Sequence, residues 1–205
     1  MTNSENLKQL LGDIDIYLLD QIVKQRYNQD DKILDAGCGN GRNMHWFLNN
    51  EYDITGIDIN EESITALKSK YAYLPQDRLL VSTIEKTEFP DSCFNHIICS
   101  AVLHFADNLD QFNNMMDELI RVLKPGGSIF IRMTTAIGFE NKIEEISEGL
   151  FYIPDGSKRF LLTRSILANC LATYNLALLE PLKTVFVDDI RSMCTLMLQK
   201  REGEK

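Results

Sequence analysis

The chain is poor in everything that would staple a fold from outside its own core. Its 205 residues include five cysteines, an odd number, and Cys38, Cys93, Cys99, Cys170 and Cys194 lie far apart with no CxxC pair. That spacing excludes a disulfide framework and reads as free, mostly buried thiols in a reducing compartment. Histidine is scarce as well. His45, His96 and His104 are scattered without the paired spacing of metal ligands, so no metal site is expected. Basic residues are outnumbered, 21 Lys and Arg against 30 Asp and Glu, for a net charge of −9. A large nucleic-acid footprint rests on Lys and Arg against phosphate, so no nucleic-acid partner is expected. No apolar run approaches the roughly 20 residues of a membrane span, and no basic segment leads into an apolar one at the start. The reading is a cytoplasmic protein with no membrane partner. Internal repeats and low-complexity segments are absent too.

What is present is an ordinary globular composition, 44% hydrophobic. The length favours one domain over 1–205, and a chain of this size buries roughly 70% of its unfolded surface without a staple. Short apolar runs alternate with helical patterns, which predicts a parallel α/β sheet. Asp13 is the expected cap of a helix through Ile14–Tyr27. Strands are expected at "KILDA", "DITGIDI", "RLLVS", "HIICS" and "SIFIRMT", with helices over 42–48, 61–71 (capped by Asn60) and 110–123. Pro125, Gly126 and Gly127 end the last of these and turn the chain. A helix around 141–148, a loop at "PDGSKR" and a helix over 163–174 follow. Two late strands, "LALLEPLKTVFV" and "MCTLMLQ", are joined by "DDIRS", too short for a crossover, so this pair should be antiparallel.

The informative stretch is "ILDAGCGNGRN". A strand that ends in a glycine-rich turn and enters a helix puts a ligand at the carboxyl end of the strand. The dinucleotide fingerprint GxGxxG fails in both registers, because Arg42 and Met44 stand where its third glycine belongs. An acid followed by three alternating glycines, Asp35-Ala36-Gly37-Cys38-Gly39-Asn40-Gly41, resembles the first motif of the class I S-adenosylmethionine-dependent methyltransferases. Asp58 at the end of the second strand, "TIEKTEFPDSCFNHIICSAVLHF" and "LKPGG" keep pace with that family in order, and the resemblance runs from about Tyr17 to Met197. "GCGNGRN" with "DIYLLDQ" upstream looks most like small bacterial enzymes grouped with the tellurite-resistance methyltransferases.

The resemblance implies a Rossmann-like, doubly wound, mostly parallel seven-stranded sheet with its last strand antiparallel and helices on both faces. It implies S-adenosyl-L-methionine as cofactor, held by Asp35, Ala36, Gly37, Gly39, Gly41, Asp58, Ile59, Thr83, Ile84 and Ser100. Asp35 is acceptor-only when ionised and suits the ligand ammonium. Asp58 suits the ribose diol. The acid that often meets the adenine amino group is replaced by Thr83, and position 95, commonly acidic, is Asn95. An N-terminal helical cap over 1–28 and an insertion over 136–164, read as an acceptor lid with Phe139, Phe151, Tyr152 and Phe160, complete the expected plan. His104 and Tyr17 are the acceptor-side candidates, each with a plain packing role as its alternative. Arg132 and Arg164 suit an anionic acceptor or ordinary salt bridges. The function so implied is methyl transfer; the single domain and acidity favour a small-molecule acceptor over a macromolecule. The alternatives are a non-catalytic S-adenosylmethionine binder and an NAD-dependent Rossmann oxidoreductase.

Overall fold

Ile33 and Leu34 are both fully buried, yet neighbouring residues of a strand point to opposite faces of its sheet. The central sheet must therefore be covered on both sides. A computed structural model describes residues 3–203. Its elements are α1 (Asn3–Leu11), α2 (Ile16–Val23), β1 (Lys32–Ala36), α3 (Met44–Asn49), β2 (Asp53–Asp58), α4 (Glu61–Lys70), β3 (Leu79–Val81), β4 (Phe94–Ser100), α5 (Leu109–Val122), β5 (Leu123–Thr134), β6 (Glu144–Ser147), β7 (Leu150–Tyr152), β8 (Lys158–Phe160), α6 (Arg164–Thr173), β9 (Leu176–Leu178), β10 (Lys183–Val187) and β11 (Arg191–Lys200).

The main sheet has the order β10-β11-β5-β4-β1-β2-β3, with β9 also paired to β11. Strands β1 to β5 are mutually parallel, and β11 runs antiparallel to β5, β9 and β10. Ile33, Ile54, Ile98 and Phe130 pack under α2, α3 and α4 with Leu18, Phe47 and Leu67. Leu34, Ile97, Ile129 and Ile131 pack on the other face with Phe112 and Leu119 of α5 and Ile166 of α6. The sheet thus winds outwards both ways from the β1–β4 pair. That junction is the switch point where an open α/β sheet leaves a crevice at its carboxyl edge.

Four expectations are corrected. The cap of α2 is Asp15, whose side chain accepts from Tyr17 N, and not Asp13. The segment 141–148 is not helical: a 3-10 turn at Glu140–Lys142 leads into β6, which pairs with β7. The late "LALLEPLKTVFV" strand breaks into β9 and β10, both lying along β11, so that eight strand segments fill seven positions. Pro181 in the gap has no N–H to give to a ladder. Helix α5 ends at Val122, before Pro125; the pairing of β4 with β5 then jumps from Phe94–Leu123 to His96–Ser128, and "KPGG" bulges out between.

The insertion forms a three-stranded antiparallel sheet, β6-β7-β8. Phe151, Ile153 and Leu161 give it a small core of its own. Phe160 ties it down: it is fully buried in the main core and stacks on Phe112 with centroids 4.6 Å apart. Among the described residues, no helix is long and apolar enough to cross a membrane. Because Phe160 belongs to the main core, Phe160→Ala is expected to cost about 3–5 kcal/mol of global stability. Urea unfolding should remain one transition with a lower midpoint; an early separate transition would show that the insertion is an independent unit.

Candidate functional site

The site starts from the backbone. Strands β1 and β2 are in register, Ala36 opposite Ile57, and the chain leaves β1 with Gly37 N–H and Cys38 N–H both donating to the Ile57 carbonyl, at 2.8 and 2.9 Å. Gly39 N–H then donates to Asp58 Oδ2 at 2.7 Å, and Asn60 N–H donates to Asp58 Oδ1 at 2.9 Å. One carboxylate therefore fixes both the glycine loop and the start of α4. The glycines differ in purpose. A Cβ on Gly37 would collide with the Val102 side chain, and one on Gly41 would come within 2.7 Å of Leu67. Gly39, at φ +52°, would meet nothing within 4 Å. Packing explains the first two; the third is bare towards open space.

That space is a cleft of about 470 Å³. Gly37, Gly39, Asp58 and Ile59 form one wall, and Ser82, Thr83, Ile84 and Glu85 another. Ala101, Val102 and Phe105, after β4, face them, with Gln111 and Met115 of α5. Six residues singled out from sequence, Gly37, Gly39, Asp58, Ile59, Thr83 and Ile84, are thereby brought together. Asp35, Ala36, Gly41 and Ser100 lie behind the walls and not on them.

Several wall residues carried no sequence signal. Glu85, two positions past Thr83, accepts from Gln111 Nε2 at 2.7 Å, while Gln111 Oε1 accepts from Asp107 N. The amide holds Glu85 and leaves its carboxylate further acceptor capacity. Ala101 has φ +65°, an uncommon conformation for a residue with a Cβ. It hands the chain sharply from β4 to the turn that carries Val102 and Phe105. Phe105 is an exposed aromatic on the cleft wall. The aromatics expected to line the pocket do not: Phe151 and Phe160 are core, Phe139 packs on Phe186, and Tyr152 is exposed.

Behind the glycine loop sits a charged cluster. Asp35 is 1% exposed and neither carboxylate oxygen has a hydrogen-bond partner. Burial pushes its pKa up to about 7, with the Arg42 charge opposing and Asp58 adding to the rise. Arg42 donates to Ser100 Oγ at 3.3 Å and lies 3.6 Å from Asp15. Asp15 also meets Arg132 Nε at 3.0 Å, and its N–H donates to Asn43 Oδ1. The Arg132 guanidinium sits 4.4 Å from the Tyr17 ring centroid. The start of α2, with Tyr17, is thus tied to the glycine loop through Asp15, and Arg132 is spent on Asp15.

The other histidines are structural. His45 contacts Tyr71 Oη and the Gln9 carbonyl, and His96 contacts Asp31 and Ser128. His104 differs: it is 7% exposed, its Nδ1 has no partner, and its ring lies 4.4 Å from Phe105. Burial, then the charges of Arg159 and Arg191, push its pKa down to about 4, so it is neutral at pH 7. No cluster of metal-ligating side chains occurs among the described residues.

Known proteins resemble the chain in sequence and in fold. A family model described as a methyltransferase domain matches residues 34–131. Malonyl-[acyl-carrier protein] O-methyltransferase of Pectobacterium atrosepticum is 25% identical over 164 residues, covering 79% of this chain. The chain spans 60% of that protein's length. Among solved structures, a SAM-dependent methyltransferase of Methanosarcina mazei superposes with a TM-score of 0.69 at 21% identity, covering 88% of this chain and 98% of that one. The 1,6-didemethyltoxoflavin-N1-methyltransferase of Burkholderia thailandensis, solved with 1,6-didemethyltoxoflavin and S-adenosylhomocysteine, gives 0.69 at 15% identity, covering 98% and 83%. These two likenesses concern the fold.

The buried Asp35 sets a pH dependence of stability. Its folded pKa, about 7, lies above the ordinary 3.8. Its contribution is fully present below pH 3.8 and is lost as pH rises through 7. Asp35→Asn removes that loss, which is worth up to roughly 4 kcal/mol. Its melting temperature should exceed wild type by several degrees at pH 8 and match it only at about pH 3.5, below the unfolded pKa; equal curves at pH 8 would show that Asp35 carries no such charge.

Proposed function

The chain belongs to the class I S-adenosylmethionine-dependent methyltransferases, and on that premise we propose that it is an active enzyme methylating a small-molecule acceptor. The observation that carries the proposal is the open face of Gly39 beside Asp58. A backbone bare of side chains, next to a carboxylate already oriented by two N–H groups, suits a nucleoside whose ribose offers two hydroxyl donors. A pyrophosphate would be repelled by that carboxylate.

The remaining walls fit the rest of the cofactor. Ile59 and Ile84 offer apolar faces to a purine, and Glu85 offers its amino group an acceptor where Thr83 has only a hydroxyl. Asp35, buried with two unused oxygens, suits an ammonium; Ala36 and Gly41 bring the turn there, and Ser100 with Arg42 closes the end towards Tyr17. When bound, S-adenosylmethionine supplies a methyl group already activated on sulfonium. The protein's share is then positioning and exclusion of water, worth about 7–11 kcal/mol when geometry is well held. Phe105 and Val102 keep the cleft apolar where the acceptor enters. His104, neutral at pH 7, can hydrogen-bond an acceptor without adding charge.

We read 1–205 as a single catalytic domain, 1–28 as a cap over the cofactor and 136–164 as the acceptor lid. A small acceptor agrees with the Burkholderia enzyme, which was solved with 1,6-didemethyltoxoflavin bound, and a cytoplasmic setting agrees with five free cysteines.

Two variants separate binding from folding. Asp58→Ala should weaken S-adenosylhomocysteine binding by about ten- to a hundredfold in calorimetry, since a hydrogen bond to a charged group is worth about 1.5–3 kcal/mol. Gly39→Asn, which tolerates the left-handed φ of +52°, should fold yet lose that binding, whereas Gly37→Ala should lose stability through Val102. Stabilisation of the wild type by NAD and not by S-adenosylhomocysteine would overturn the proposal. Tight cofactor binding with no homocysteine release on any of a broad panel of thiols, amines, phenols, carboxylates and metalloid oxyanions would make it a non-catalytic binder.

A further inference from the structure

Near the Phe105 side of the cleft, two arginines make no ion pair among the described residues. Arg159, on β8, places its guanidinium carbon 5.1 Å from the Phe105 centroid. The hydrogen bond it makes goes to the Lys158 carbonyl. Arg191 opens β11 at the β10–β11 turn. Neither has a carboxylate within 4 Å among the described residues, although acids outnumber bases by nine in this chain. The charges of both reach His104 and Asp155. Asp155 does not neutralise them at contact range, because its carboxylate accepts from Ser157 N–H and from the Ser157 hydroxyl.

Both positive charges act on the same His104 ring, and an anion beside that ring is attracted by each of them. Phe105 lies against the Arg159 guanidinium, and of its N–H groups one donates to the Lys158 carbonyl, which leaves others to grip a carboxylate. The unpartnered Nδ1 of His104, 93% buried with its residue, adds a third polar atom to the same side. Phe105 itself lines the cleft, so an anion gripped by Arg159 lies beside the cleft wall.

We propose that the acceptor is an organic carboxylate, anchored by Arg159 and Arg191 beside His104. The inference rests on the methyltransferase reading and adds its substrate class. The insertion then has a chemical task as well as a steric one, because β8 carries the Arg159 anchor onto the turn that bears His104 and Phe105.

The test uses the full chain saturated with S-adenosylhomocysteine. Acetate, benzoate and 3-phenylpropionate are titrated in, each against its primary amide and against inorganic phosphate. Calorimetry and the His104 imidazole resonances report binding. At least one carboxylate should bind ten times more tightly than its amide and move the His104 resonances. Arg159→Gln and Arg191→Gln should each remove that preference while S-adenosylhomocysteine affinity stays at the wild-type value. Amides binding as well as acids, no carboxylate binding, phosphate binding more tightly than every carboxylate, or a preference that survives both substitutions would overturn it. Failure to bind S-adenosylhomocysteine at the outset would instead sink the methyltransferase reading.

Discussion

The carboxylate of Asp58 holds the site together. It ends β2, accepts the Gly39 amide on one oxygen and the Asn60 amide on the other, and so locks the loop after β1 to the helix after β2. The lock works because β1 and β2 are neighbouring parallel strands in register, which brings their carboxyl ends level. With both strands buried on both faces, that level edge cannot drift. The bare Gly39 backbone is then presented at a fixed height above the sheet, and each oxygen of Asp58 keeps a lone pair for a further donor.

Beneath this lock lies a cost. Asp35 is buried without a partner, and a buried carboxylate in that state is held near neutrality by its surroundings. A chain selected for stability alone has no use for it. The charge becomes useful when a cation arrives, because the attraction is strong where water is excluded. Ala101 is a second local cost, a left-handed turn outside glycine that aims Val102 and Phe105 at the cleft. Asp35 ends β1 just before the glycine loop, and Ala101 follows β4 on the cleft wall.

Much of this was legible in the chain. The β1–α3–β2–α4 run showed in alternating apolar blocks, because a strand buried on both faces is apolar throughout. Asp35, the glycines and Asp58 showed because a tight turn against a ligand restricts residue type. The misreadings have local physical causes. "NKIEEISE" has helix-forming composition, yet Gly149 at φ +80°, packed close on Phe160, turns it back on β7, and pairing overrides propensity. Asp13 and Asp15 are equally good caps in sequence, and Arg132 and Arg42, distant in the chain, select the second. Glu180 leaves the late strand for Lys24, Arg26 and Lys183, contacts no local pattern announces. Glu85, Gln111 and Phe105 reach the cleft from three separate segments, so only the folded chain assembles that wall.

On the proposed function, main chain at Gly39, steadied by Asp58, cradles a sulfonium nucleoside. A crystal structure of the protein with S-adenosylhomocysteine tests it most directly. The ribose is expected against the Asp58 carboxylate, with the rest of the ligand lying over Gly37 and Gly39. A nucleoside bound elsewhere on the chain, or a cleft closed by side chains with the ligand absent, would contradict it.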